Sequence, residues 1–241
     1  MMHRIIIVCF VISLSVSGRM CCAQSTSDTL YRRSSIRDSV NKVIHRFEKQ
    51  VRQFEKQDSL TPPQAGGYLF VGSSSIRGWK TLKTDFKEHP VLGRGFGGST
   101  FVELLHYAKR LVLAYAPSRI FVYCGENDMT LPYTLPGDVW YSFAQFDTLI
   151  QTHLPQTKIY YLSIKPCPKS WNYWPKIQTA NQLIKKYIQQ RETERLTYID
   201  LTQTLLKSSG IVDSVQFLSD GIHIRSTVYS KWAEIIHPYM K

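Results

Sequence analysis

The 241-residue chain has no long apolar run, no block of five or more lysines and arginines, no internal repeat and no low-complexity tract. Each absence excludes something. The most apolar stretch, Ile5 to Val16, is interrupted by Ser13 and Ser15 and falls short of the roughly 20 residues a membrane-spanning helix needs. With no basic block and no recognised nucleic-acid motif, the formal net charge of +12 reads as a solvated basic surface, and nucleic acid is not expected as a partner. Cysteine is scarce at five residues, and three of them (Cys9, Cys21, Cys22) crowd the N-terminus. The remaining Cys124 and Cys167 lack the spacing of a zinc site. They could pair in an oxidising compartment, but they read as two small buried side chains. What is present is ordinary for a folded domain: 43% hydrophobic and 20% charged residues, enough chain for one sizeable core.

The first 23 residues read as a targeting segment. Met1-Met2-His3-Arg4 is a short basic start, Ile5 to Val16 is the apolar stretch, and Cys21-Cys22-Ala23 sets small residues before a cut ahead of Gln24. This is the three-part pattern of a secretory signal peptide. It predicts a secreted or periplasmic protein with no stable membrane insertion after cleavage. An uncleaved anchor is the alternative. A lipoprotein fits less well, because Met20 and Cys21 precede Cys21 and Cys22 where a small residue is preferred.

From Ile36 the apolar positions Ile36, Val40, Val43, Ile44, Phe47, Val51 and Phe54 step by three and four, which predicts an amphipathic helix. Its other face carries Arg37, Lys42, Arg46, Lys49, Arg52 and Lys56. Such a helix can lie on an anionic membrane, but it more often packs its apolar stripe on a domain. Thr61 to Gly67 reads as a linker, so the expected organisation is a signal peptide over 1–23, a basic helix with linker over 24–65, and one domain over 66–241.

Within that domain, five short apolar runs alternate with helical stretches. The runs are Tyr68–Val71, Pro90–Leu92, Arg119–Tyr123, Lys158–Ile164 and Leu196–Asp200. The helical stretches fall near 100–115, 138–153, 175–194 and 227–237. Continuous β-branched and aromatic runs are strands covered on both faces. The alternation predicts an α/β/α sandwich on a five-stranded, mainly parallel sheet. Ligands in such a sheet sit beyond the carboxyl ends of the strands, and those ends are rich in Gly, Ser, Asn and Asp.

Four pieces stand out there: Gly72-Ser73-Ser74, Gly97-Gly98, Gly125-Glu126-Asn127-Asp128 and Asp220-Gly221-Ile222-His223. A serine hydroxyl needs a base to become a useful nucleophile. His223 is the best-placed base in the sequence, because Asp220 on a tight turn three residues earlier can reach its other ring nitrogen and fix the tautomer. Taken in order, the four pieces resemble the blocks of the SGNH hydrolases, the GDSL-type esterases and lipases, over roughly residues 66 to 240. The fuller strings Phe70–Trp79, Arg94–Thr100 and Ser163-Ile164-Lys165-Pro166 are similar to secreted bacterial members.

The resemblance implies a flavodoxin-like fold, Ser74 as nucleophile, and an oxyanion hole made of the Ser74 and Gly98 backbone N–H groups and the Asn127 side chain. It implies no cofactor and no metal. Ser73 stands where many members have Asp, which keeps Ser73 and Ser75 as rival nucleophiles. Val228-Tyr229 stands where many have Gly-Tyr, which is expected to alter the start of the last helix.

Two other functional classes stay open on the residues alone. One is a non-catalytic glycan- or membrane-binding protein on the same fold. The other is a metal-dependent phosphoesterase using Asp128 and Asp220, disfavoured because no His/Asp cluster has metal-ligand spacing. For the substrate, a small-molecule or glycan ester is expected, with deacetylation of a carbohydrate favoured and an acyl hydrolase of the lysophospholipase or lipase type as the alternative. Tyr133, Trp171 and Trp174, with Tyr173, follow strand ends and are candidates to stack on a sugar or line an acyl pocket. Trp171 and Trp174 could instead anchor the next helix. The sequence does not address oligomeric state.

Overall fold

The five expected runs become β1 (Tyr68–Gly72), β2 (Val91–Gly95), β3 (Arg119–Tyr123), β4 (Lys158–Leu162) and β5 (Leu196–Ile199). They form one sheet in the order β2-β1-β3-β4-β5, and every pairing is parallel. The structure, a computed structural model, describes residues 45–241. The signal-peptide reading and the part of the amphipathic helix before residue 45 lie outside the described residues.

Among the described residues eight α-helices accompany the sheet: α1 (Glu48–Leu60) precedes it, and α2 (Ser74–Gly78), α3 (Leu82–Asp85), α4 (Phe101–Leu111), α5 (Glu126–Thr130), α6 (Pro136–His153), α7 (Trp174–Gln190) and α8 (Ser226–Ile236) follow residue 66. The longer ones match the predicted stretches. The one-turn helices α2, α3 and α5 carry no periodic signal in the sequence.

Residues alternate across the sheet, and each face builds its own core. Leu69, Val71, Ile120, Val122, Ile159 and Tyr161 point to the layer holding α1, α4, α6 and α7. Phe70, Phe121, Tyr123, Tyr160 and Leu162 point to the layer holding α2, α3 and α8. On that second face the rings of Phe70, Phe121 and Tyr160 stack across three strands, with centroids 4.5 and 4.7 Å apart. Phe121 is wholly buried between its neighbours, and truncating such a ring to Ala typically costs about 3–5 kcal/mol.

The helix α1 docks on the first layer through buried Val51 and half-buried Phe47 and Phe54. Its acids complete the docking. Arg110 of α4 bonds Glu48 at 2.8 Å and Glu55 at 2.6 Å, and Asp58 pairs with Arg94. The Arg110 guanidinium holds the Glu48 carboxyl down to about 2, aided by Arg52. Residues 46–241 form one compact unit.

The strand order reverses between β1 and β3. In doubly wound sheets a ligand crevice opens outside the carboxyl ends of the strands at such a point.

Candidate active site

Ser74 opens α2 directly after β1. Gly72 turns the chain there at φ +137°, and a side chain at this position would collide with the Tyr123 carbonyl on β3. Ser73 N–H donates to that same carbonyl at 3.0 Å, and the Ser73 carbonyl accepts the N–H groups of Ile76 and Arg77. The turn therefore fixes Ser74 at the first position of the helix. Ser73, where the resemblance expects Asp, is fully buried, and its hydroxyl has no hydrogen-bond partner. Of the three serines, only Ser74 lines the cavity that also holds His223, a cleft of about 720 Å³.

Gly98 and Asn127 come from the two neighbouring strand ends. Phe96 N–H donates to the Gly72 carbonyl, which brings the chain after β2 across to β1. Gly98 follows with φ +83°. Asn127 lies in α5 just beyond β3, and its side-chain amide donates one hydrogen to the Ser99 carbonyl at 2.9 Å. That bond points the amide at the 97–99 loop and leaves its second hydrogen available. Among the described residues, neither the Ser74 N–H nor the Gly98 N–H has an acceptor. Two backbone donors and one amide hydrogen on neighbouring strand ends are thus left without an acceptor among the described residues.

The 97–99 loop is held from behind by a residue that the sequence placed on the solvated face of the N-terminal helix. Arg46 Nη2 donates to the Gly98 carbonyl at 2.7 Å, and its guanidinium is paired with Glu103 in a two-point contact. Glu103 is fully buried. It also accepts from the Thr100 N–H at 2.8 Å and the Thr100 hydroxyl at 2.9 Å, closing the N-terminus of α4. A carboxylate this deep needs a counter-charge, and that need turns Arg46 inward. Asp128 adds a second tie, accepting from the Phe101 N–H at 2.9 Å. Burial pushes the Asp128 carboxyl up to about 6, against the lowering effect of the Phe101 bond.

His223 comes from a different kind of segment. Residues 200–225 hold only short 3₁₀ turns (Thr202–Leu205, Ser214–Gln216) and two isolated bridges. His223 Nδ1 lies 2.6 Å from Asp220 Oδ2, and Asp220 Oδ1 accepts the Ile222 and His223 N–H groups at 2.9 Å each. These bonds hold the Asp220 carboxyl well below the usual carboxylate range, the His223 ring contributing most. With Nδ1 donating to Asp220, Nε2 is the nitrogen left to accept a proton. Asp220 is 42% exposed and His223 36%, so this pair is held by local bonds rather than by burial.

The aromatic candidates take different positions around the strand ends. Tyr133 is 98% exposed, at φ +68° on the loop after α5. Trp174 is buried at the start of α7, and Trp171 stacks on it with centroids 5.9 Å apart and planes 15° apart. None of the three lines the cavity beside Ser74 and His223. Trp171 and Trp174 take the helix-anchoring role: both pack against the first core layer. Cys124 and Cys167 are buried and free. Among the described residues no three His, Cys, Asp or Glu side chains gather as a metal site, and no helix is long and apolar enough to cross a membrane.

One supporting pair had no sequence reading. Lys165 Nζ lies 2.5 Å from Glu126 Oε1, both buried, and the Tyr123 hydroxyl donates to Glu126 Oε2 at 2.7 Å. The pair ties the end of β4 to α5, the helix carrying Asn127. The signal available for it was a lysine directly after the apolar strand run, in Ser163-Ile164-Lys165-Pro166.

No protein-family model matches the chain, and no curated protein matches it in sequence. Solved structures do match the architecture. A protein from Streptococcus pneumonia described as a platelet activating factor superposes with a TM-score of 0.70 at 18% identity, over 87% of this chain and 99% of that one. A GDSL-like lipase from Bacteroides thetaiotaomicron gives 0.69 at 18% identity, over 79% and 96%. The chain has the SGNH/GDSL hydrolase fold. An acetylxylan esterase from Geobacillus stearothermophilus, solved as a catalytic mutant, shares this fold at a TM-score of 0.58 and 11% identity, over 73% and 95%. The SGNH fold carries Ser74, Gly98 and Asn127 here on three adjacent strand ends, at the point where the strand order reverses.

Proposed function

We propose that the protein is a serine ester hydrolase. His223 Nε2 takes the Ser74 hydroxyl proton as Ser74 Oγ attacks the ester carbonyl carbon. The Ser74 and Gly98 N–H groups and the Asn127 amide receive the oxyanion. The tetrahedral intermediate collapses by breaking the carbon–alkoxy bond, and His223 returns its proton to the leaving alcohol. Water, activated by the same imidazole, then releases the acid from the acylated Ser74. Asp220 keeps the imidazole in the tautomer with Nε2 free and stabilises the imidazolium that forms. The observation that carries this reading is the joint placement of Ser74 and His223 on one cavity, with Asp220 on the far ring nitrogen.

The substrate class proposed is a small-molecule or glycan ester, and no metal or other cofactor takes part. Carbohydrate esterases and a lipase share the fold, which supports an ester and leaves the alcohol to the chain's own residues. The protein acts outside the cytoplasm after cleavage before Gln24, and N-terminal sequencing of exported material checks that cut. Ser74→Ala should lower turnover of aryl acetates by about 10⁴-fold or more while the thermal transition stays within a few degrees. Wild-type turnover by this variant would remove Ser74 from the chemistry. Full activity in EDTA is expected as well; loss with chelator and recovery with a divalent cation would favour a metal mechanism.

A further inference from the structure

The cleft beside Ser74 and His223 is lined on one side by two cations. Arg77 projects from α2 and Lys80 follows it, both exposed. No Asp or Glu of the described residues lines the cavity. Neither cation has a carboxylate partner among the described residues, whereas Arg46, Arg94, Arg110 and Arg195 are all paired. The acid on the neighbouring helix, Asp85, is occupied, accepting from Trp79 Nε1 at 2.6 Å and the Thr81 hydroxyl at 2.7 Å.

Arg77 is also placed, not merely present. Its guanidinium lies against the backbone of Gly97, where any side chain would collide with it. An unneutralised planar donor therefore lies against the loop that carries the proposed oxyanion donor Gly98. The lining also includes the buried side chains of Ile224 and Tyr229.

The location says which part of an ester meets these charges. His223 must hand its proton to the leaving alcohol, so the alcohol lies against His223. His223 lines this cavity and Asn127 does not. We infer that the alcohol part of the substrate carries an anionic oxygen group, a carboxylate or a phosphate, bound by Arg77 and Lys80 on the wall of this cleft. The inference rests on the serine-hydrolase reading above and names its substrate class. A guanidinium fork beside an ammonium suits either anion, because both offer paired oxygens to charge-assisted donors.

Binding and turnover, measured separately, test this. In a Ser74→Ala background, calorimetry compares 4-acetoxyphenylacetate with 4-acetoxyphenylacetamide, which differ in charge but keep the ester electronics alike. The anion should bind about tenfold more tightly. Adding Arg77→Gln and Lys80→Gln should bring the two affinities together, while Arg77→Lys retains part of the preference. In the wild type, kcat/KM should favour the anionic ester by a similar factor, carried by KM and reduced by salt. Running 4-acetoxyphenyl phosphate beside the carboxylate shows which anion the fork prefers. Equal binding of anion and amide, or a preference that survives the double substitution, overturns the anion subsite. Anion-selective binding without turnover of any ester overturns the hydrolase reading instead and supports the subsite.

Discussion

The two flanks of the Gly97–Gly98 loop each present an arginine, and the two are used in opposite ways. On one flank Arg46 is neutralised by buried Glu103 and bonded to the Gly98 carbonyl. On the other flank Arg77 lies on Gly97 with no counter-ion among the described residues and faces a cleft. The difference teaches that a positive charge answered from within the fold builds structure, and one left unanswered at a cavity is available to a ligand. Both charges converge on the same loop; one bonds its backbone, and the other is the one proposed to meet the substrate.

The largest loss is expected at the loop itself, where both flanks should lose together. Asn127→Asp replaces a donor to the oxyanion with an acceptor, and turnover should fall about 10²-fold or more on neutral and anionic esters alike. A loss confined to one ester class would separate what the account joins. Next comes the structural flank. Arg46→Ala frees the Gly98 carbonyl and strips Glu103 of its partner. It should cost about 1–3 kcal/mol of stability, the arginine being half exposed, and lower kcat about tenfold with KM nearly unchanged. Arg46→Lys should restore part of both. By contrast, Arg77→Gln should move the unfolding free energy by less than about 0.5 kcal/mol, as surface changes do. If Arg77→Gln destabilised as much as Arg46→Ala, the two flanks would not differ.

A pH-dependent effect concerns Asp128. Its folded carboxyl titrates at about 6, above the ordinary value, because burial disfavours the charge. The native state thus keeps its proton to higher pH than the unfolded chain does. The associated stability is fully present below about pH 4 and is lost as pH rises through about 6. Asp128→Asn keeps an acceptor for the Phe101 N–H and removes the titration. It should gain about 1 kcal/mol at pH 8 after the weaker hydrogen bond is subtracted, with the gain vanishing near pH 4. Denaturant melts at the two pH values check this, and a gain independent of pH would contradict it.

Much of the fold was legible because its signals are local. The five strands are continuous β-branched and aromatic runs, and Gly-Ser-Ser, Gly-Gly and Gly-Glu-Asn-Asp follow three of them directly. Asp220 and His223 were legible for a related reason: their contact is made within one turn. What escaped is non-local. The pairing of Arg46 with Glu103 spans 57 residues, and nothing in the amphipathic pattern separates a solvated arginine from one recruited by a distant buried acid. The acids that dock α1 escaped for the same reason, and so did Lys165 with Glu126, 39 residues apart. Trp171 and Trp174 show the converse limit. Adjacency to a strand end places a residue at the right level of the sheet, but packing against α7 decides which way it faces, and both turn to the core. The segment 200–225 has no period to read, since its order comes from turns and single bridges.

The most direct measurement is covalent. Treating the protein with a fluorophosphonate and mapping the adduct by mass spectrometry reports which hydroxyl is activated. The account predicts one phosphonyl adduct on Ser74, abolished in Ser74→Ala and strongly slowed in His223→Ala. An adduct on Ser73, Ser75 or elsewhere, or labelling unaffected by His223→Ala, would contradict it.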